Sequence, residues 1–335
     1  MMQEASLWHK ERNGIRCDLC SRNCFITKDK KGFCTVRQNK DNKLFIMNYG
    51  KLNSVYIDKI ERKSLFHFYP GSSTLSMTAN GCNMQSNFCC PDEMSHDKIE
   101  GKEYTPEQIV KLAEESNVKS ISYAYSEPTI YFEFMYKVAK LAHRSNIANV
   151  LVTNCYMTEE MIKKVFKYLD AAVVEIKASL DPEFYKKFLT VDNTEIIFQN
   201  LKQLKKQRVF VEISNTIIPQ IGDNVEQCRK FAERITTDLE SEIPFHVTRF
   251  QPGAKTMEFP PTPIATLEKC MDEVKKAGIR YVYIGNVGEH DANNTYCYNC
   301  REPLVQRSMG ALKKNQLSKD RCPNCGLKIN FLVDK

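Results

Sequence analysis

The 335-residue chain lacks a hydrophobic run long enough to cross a membrane. Its longest stretch free of Asp, Glu, Lys and Arg runs from Ser64 to Pro91. That stretch contains His67, Pro70 and Gly71 among many Ser, Thr, Asn and Gln side chains, and lipid offers those groups no partners. The apolar centre of a secretory leader is missing too. Met1 to Gly14 carries Glu4, Lys10, Glu11 and Arg12, so the expected location is cytoplasmic. Internal repeats and low-complexity linkers are absent. So is any alternation of aromatic with basic residues, which weighs against nucleic-acid binding.

Cysteine, by contrast, is plentiful at 14 residues. In a reducing compartment such a count favours metal binding over disulfides. Hydrophobic residues make up 42% of the chain and exclude general disorder. The formal net charge is +7, and it is unevenly placed. Residues 1–60 carry 12 basic and 6 acidic side chains and residues 291–335 carry 8 and 4, so the centre is slightly acidic. Three segments follow: a Cys-rich N-terminal extension over 1–60, a main domain over 61–290, and a C-terminal extension over 291–335.

The main domain alternates short β-branched or aromatic runs with helical patterns. Strands are expected at Leu75–Ala79, Ser120–Tyr125, Ala148–Thr153, Ala171–Ile176, Val209–Asn215 and Phe245–Phe250, with a seventh at Tyr281–Ile284. Thr105-Pro106-Glu107-Gln108 reads as a capping box with proline in the first turn. Thr158, Asn193-Thr194 and Thr262-Pro263 mark further helix starts, and Gly278 suits a helix end. This alternation predicts an α/β fold of parallel strands joined by crossover helices, as an open sheet or a complete or partial barrel. Asn80, Glu127, Asn154, Lys177, Asn215 and Arg249 fall at or just past strand ends, where such folds collect ligand groups.

Eleven of the cysteines fall into three groups. Cys297-Tyr-Asn-Cys300 and Cys322-Pro-Asn-Cys325-Gly326 supply four thiolates for tetrahedral Zn²⁺, or for iron in a rubredoxin-like site. Cys17, Cys20, Cys24 and Cys34, spaced C-x2-C-x3-C-x9-C, suit either zinc or an iron–sulfur cluster, and Arg37 lies close enough to pair with the negative tetrathiolate. The third group, Cys82, Cys89 and Cys90 with Ser86 between, follows the first strand.

Here the sequence resembles the radical S-adenosylmethionine (SAM) enzymes, whose C-x3-C-x-aromatic-C loop holds a [4Fe-4S] cluster by three irons and leaves the fourth for SAM. Cys17-Asp-Leu-Cys20, Gly32-Phe33-Cys34, Asp58-Lys-Ile-Glu61, His67-Phe68-Tyr69-Pro70-Gly71, Tyr125-Ser126-Glu127-Pro128-Thr129, Thr153-Asn154, His246-Val-Thr-Arg249 and Tyr281-Val-Tyr-Ile-Gly285-Asn286 are similar to signatures of the AmmeMemoRadiSam-system radical SAM enzymes, a pyruvate formate-lyase activating enzyme-like family. The resemblance implies a partial (βα)6 TIM-like barrel with a zinc-ribbon-like C-terminal extension. It implies cleavage of SAM to a 5′-deoxyadenosyl radical that abstracts hydrogen from an unidentified substrate, and association with Memo-like and AMMECR-like proteins. Cys82, Ser86 and Cys89 take the cluster positions. Backbone and carboxylate at Glu127 receive the SAM ammonium, and Asn154, Lys177 and His246 lie around the same rim.

One position departs from the pattern, because Ser86 stands where the second cluster cysteine belongs. A hydroxyl ionises far less readily than a thiol, whose ordinary pKa is about 8.5, and an alkoxide is a harder ligand. Either Ser86 ligates, or Cys90 substitutes, or the cluster is lost. The last case makes the chain a catalytically degenerate scaffold or binding protein. Cys155, where a glycine is typical after Asn154, points the same way.

Overall fold

Local signals account for most of the element starts in the computed structural model, which describes residues 2–84, 86, 88 and 99–333. The chain packs as two compact units that run across the three sequential segments. The first comprises 1–58, 74–172 and 188–209, and the second 59–73, 173–187 and 210–335.

The main strands are β1 (Ser73–Thr78), β2 (Ser120–Tyr123), β3 (Ala148–Thr153), β4 (Ala171–Lys177), β5 (Phe210–Ile217), β6 (Phe245–Arg249) and β7 (Val282–Gly285). All seven coincide with runs expected from the sequence. The helices are α1 (Pro106–Glu115), α2 (Phe132–Arg144), α3 (Glu159–Val165), α4 (Pro182–Leu189), α5 (Glu195–Lys206), α6 (Val225–Asp238) and α7 (Ile264–Lys276). The α1 capping box is complete: Gln108 N–H donates to Thr105 Oγ1 at 3.2 Å and Thr105 N–H to Gln108 Oε1 at 2.8 Å. Thr158 caps α3 through Met161 N–H, and Gly278 follows α7 with φ +99°.

In the first unit the strand order is β3, β2, β1 and then Ser54–Lys59. β2 pairs in parallel with both β1 and β3. Every residue of β2 and β3 is buried, as expected for a parallel sheet covered on both faces. Helices α1 and α2 pack on each other, and α2 turns Phe134, Met135 and Val138 into the core. Two small antiparallel sheets carry the N-terminal cysteines: Trp8–Glu11 with Gly14–Cys17 and Phe25–Ile26, and Gln3–Glu4 with Lys43–Ile46 and Arg37–Lys40.

The second unit has the order β4, β5, β6, β7, with β5–β6 and β6–β7 parallel. Cys228, Phe231 and Ile235 of α6 and Leu267, Cys270 and Val274 of α7 supply buried apolar side chains beside it. A three-stranded antiparallel sheet, Thr295–Tyr296 with Pro303–Ser308 and Ala311–Asn315, carries the last four cysteines. Its core joins Cys297, Cys322, Leu304 and Phe331 with Phe66, Tyr281 and Tyr283.

Candidate active site and cysteine centres

In the first unit the loop after β1 begins at Gly81, whose φ of +100° and close surroundings exclude a side chain. A Cβ there meets Val36 Cγ1 at 2.9 Å and Cys34 O at 3.0 Å. Cys82 follows, half-buried, and its Sγ accepts Met84 N–H at 3.4 Å. Asn154 Nδ2 stands 4.0 Å from the same sulfur and donates to Asn83 Oδ1 at 2.8 Å. Asn83 is buried and donates to Tyr156 O at 3.0 Å, while Arg22 Nε donates to Asn83 O at 2.8 Å. Ser86 is half-buried, and its Oγ accepts Phe88 N–H at 3.1 Å. Cys89 and Cys90 lie outside the described residues.

Glu127 is 5% exposed and spends both carboxylate oxygens on the chain itself. Oε1 accepts from Thr129 N–H, Thr129 Oγ1 and Thr153 Oγ1, and Oε2 accepts Asn154 N–H at 2.8 Å. Burial pushes its carboxyl above the usual range, against four hydrogen bonds that favour the ionised form. The carboxylate expected to receive the SAM ammonium therefore ties together the loops after β2 and β3. Cys155 itself adopts the left-handed conformation (φ +60°) where glycine is typical. It is held there by Thr153 Oγ1 on its N–H and by Asn200 Nδ2 on its carbonyl.

In the second unit Lys177 ends β4 at the strand's C-terminal rim, and its N–H donates to Tyr185 Oη at 3.1 Å. Ala178, Ser179 and Leu180 then all take positive φ. Asn215, at the end of β5, clamps this turn by accepting Ser179 N–H and donating to Ser179 Oγ, both at 2.9 Å.

His246 is displaced from the expected rim. It is the second residue of β6, near the strand's N-terminal end, fully buried, with Nε2 2.8 Å from Glu212 Oε2. Glu212 also accepts the N–H groups of Phe66 and His67. Burial alone raises the Glu212 carboxyl, but the bonds from His246 and Phe66 and the nearby imidazoles outweigh it, and the net shift is downward. His67 lies between Asn330 O and Tyr283 Oη, and burial lowers its pKa to about 4. Arg307 completes the cluster, donating to Phe66 O at 2.7 Å and to Thr295 Oγ1 at 2.9 Å. Sequence reasoning missed Glu212, because its partners come from a segment some 146 positions earlier.

The thiols of Cys297, Cys300, Cys322 and Cys325 lie within 4.8 Å of one another, with Cys297–Cys325 and Cys300–Cys322 sulfurs 3.6 Å apart. Tetrahedral Zn–S bonds of about 2.3 Å put sulfurs roughly 3.8 Å apart, so this donor set fits one ion. It is the sole such group among the described residues. Cys17, Cys20, Cys24 and Cys34 instead surround a cavity. Arg37 borders that cavity, but it does not rely on the thiols for its counter-charge. It is fully buried, and its Nη2 meets both oxygens of Glu133 at 2.7 and 2.6 Å.

Residues 76–235 match the radical SAM superfamily. Over 99% of its length the chain is 38% identical to an uncharacterized protein of Methanocaldococcus jannaschii, whose whole length it covers. Over 35% of its length it is 26% identical to the (2S)-3-sulfopropanediol dehydratase activating enzyme of Klebsiella oxytoca, covering 36% of that protein. Among solved structures, a radical SAM methyltransferase from Sphaerobacter thermophilus shares the fold at a TM-score of 0.52 and 12% identity, over 65% of this chain and 67% of that one. The match to the radical SAM superfamily thus covers residues 76–235, and the described residues form an α/β fold built on a mainly parallel sheet. Among the described residues, no helix is long and apolar enough to cross a membrane.

Proposed function

We propose that this chain is a radical SAM enzyme of the AmmeMemoRadiSam type, acting in the cytoplasm on a substrate yet to be identified. The observation that carries this reading is the bonded path from Glu127 through Asn154 to Asn83 and the sulfur of Cys82. It supports Cys82 as a cluster ligand, because N–H groups directed at a thiolate stabilise its charge and tune the iron behind it.

Cys82 and Cys89, with either Ser86 or Cys90 as the third ligand, would hold a [4Fe-4S] cluster. That cluster, with SAM bound, supplies one-electron cleavage of the sulfonium and a carbon radical able to abstract hydrogen. The chain's own residues do the positioning. Met84 N–H and the Asn154 amide face the Cys82 sulfur, and Glu127 fixes Asn154 from behind. On this reading the main chain at Ser126–Glu127 receives the SAM ammonium, since the Glu127 carboxylate is already engaged.

On the same reading the strands form a partial (βα)6 barrel, the last four cysteines hold zinc, and Memo-like and AMMECR-like proteins are functional associates. The test is product analysis after anaerobic incubation of reconstituted protein with SAM and dithionite. Release of 5′-deoxyadenosine and methionine is the expected result. A chain that carries its cluster and releases neither overturns the enzyme reading in favour of a degenerate scaffold.

A further inference from the structure

Between Cys20 and Cys24 the chain makes a bonded turn, with Asn23 N–H on Cys20 O and Cys17 N–H on Cys24 O, both at 3.0 Å. The turn is seated on the loop after β3. Ser21 N–H donates to Tyr156 O at 3.3 Å, Ser21 Oγ donates to Met157 O at 2.9 Å, and Cys20 forms a bridge with Met157. Arg22 stands in the middle of this turn, and its guanidinium bonds to groups far along the chain.

Arg22 Nε donates to Asn83 O at 2.8 Å, Nη2 to Leu189 O at 3.0 Å and Thr190 Oγ1 at 2.8 Å, and Nη1 to Thr190 O. Three carbonyls and one hydroxyl thus share the charge, and among the described residues no carboxylate pairs with it. Leu189 ends α4, so its carbonyl is one that a helix leaves without an internal partner, and a cation suits that end. Arg22 Cζ lies 4.0 Å from the ring centroid of Phe33, the neighbour of Cys34, and 5.5 Å from that of Tyr156. A lysine ammonium, a point charge on a flexible stem, cannot stack and hold all these acceptors at once.

Asn83 is where this fork meets the Cys82 loop. It is fully buried and held at three points: its carbonyl by Arg22, its Nδ2 on Tyr156 O, and its Oδ1 by Asn154 Nδ2. Without Arg22 a buried carbonyl loses its charged donor. We propose that Arg22 is a positioning residue for the Cys82 loop, acting through the carbonyl of Asn83 and tying the N-terminal cysteine turn to that loop. Its importance for the reaction rests on the reading of Cys82 as a cluster ligand. Loss of Arg22 reaches the sulfur by displacing main chain, with every thiol still in place.

The experiment compares the full chain with Arg22→Lys, and with Asn224→Ala as a control that removes the cap of α6 in the second unit. Hydrogen exchange of the metal-free proteins reads the loop directly. Arg22→Lys should speed exchange about tenfold at residues 82–84 and 154–156, while Asn224→Ala leaves them as in the parent. After anaerobic reconstitution and reduction, SAM is titrated against the EPR signal. Arg22→Lys should need about tenfold more SAM for the same perturbation, because outer partners of metal ligands carry losses of that size. Millimolar guanidinium added to Arg22→Ala should restore part of both properties, and equal sodium chloride should not. Exchange at residues 82–84 equal to the parent overturns the proposal, and so does a lowered Tm with an unshifted SAM titration. A parent whose signal ignores SAM is instead a failure of the enzyme reading, and the exchange comparison then decides whether Arg22 positions the loop.

Discussion

Glu127 Oε2 accepts the main-chain N–H of Asn154 at 2.8 Å, which locks the loop after β2 to the loop after β3. Because Asn154 in turn faces Asn83 and Cys82, a buried carboxylate sets the position of the groups around the Cys82 sulfur without any need to touch it. Glu127→Ala strands the Asn154 amide and two threonine hydroxyls. The expected cost is about 1–3 kcal/mol of stability, since buried donors lose their acceptor. Thermal unfolding checks this, and SAM affinity by calorimetry should weaken in the same variant. An unchanged Tm with unchanged affinity would remove Glu127 from this role.

The Arg37–Glu133 pair is almost fully buried, with both carboxylate oxygens engaged. Arg37→Met leaves Glu133 buried and unpaired and should destabilise the chain by about 3–5 kcal/mol. Adding Glu133→Leu removes the stranded charge, so the double variant should recover a large part of the loss. Chemical denaturation of the two variants beside the parent measures this. Equal stability of single and double variants contradicts the account.

Acid should weaken the second unit through His67. Its pKa is about 4 when folded against the ordinary 6.5, so the folded state resists protonation. Stability from this group is complete above pH 6.5, declines as the pH falls from there, and is fully lost near pH 4. The total is on the order of 3 kcal/mol. Glu212, whose folded pKa is lowered, adds a loss of the same sign at more acid pH. His67→Gln should flatten the stability curve between pH 6.5 and 4, and parallel curves for the two proteins would count against the assignment.

Cys297 and Cys322 sit in the same core as Phe66 and Tyr283, so an ion held by these thiols would be coupled to the packing there. Cys297→Ser should release one zinc per chain and lower the Tm of this region, with hydrogen exchange rising across residues 295–331. Unaltered zinc content and exchange would show that the four thiols do not hold the ion.

Much of this was legible in the sequence for local reasons. The strands are β-branched runs, Thr105 and Thr158 announce their helices by side-chain caps, and the pairs at Cys297 and Cys322 lie on tight turns. What escaped sequence reasoning depends on distant partners. Glu212 lies within a strand, and its burial is explained by partners distant in sequence, the N–H groups of Phe66 and His67 and the imidazole of His246. Arg37 finds Glu133 across 96 positions, not the neighbouring thiols. His246 moved from the rim to the interior because Glu212 claims it. Likewise, the spacing of the first four cysteines identifies a set, but only the folded chain shows how wide it stands.

The most direct test of the central claim is low-temperature EPR of the reduced, anaerobically reconstituted chain with and without SAM, beside its Ser86→Cys variant. To separate the Cys82 loop from other iron, each is compared with the same chain carrying Cys82→Ala. The account predicts a cluster signal in the parent that SAM perturbs and that Cys82→Ala removes. A SAM-sensitive signal in Ser86→Cys alone would contradict it, and would mean that the chain with Ser86 has lost the cluster on which the chemistry depends.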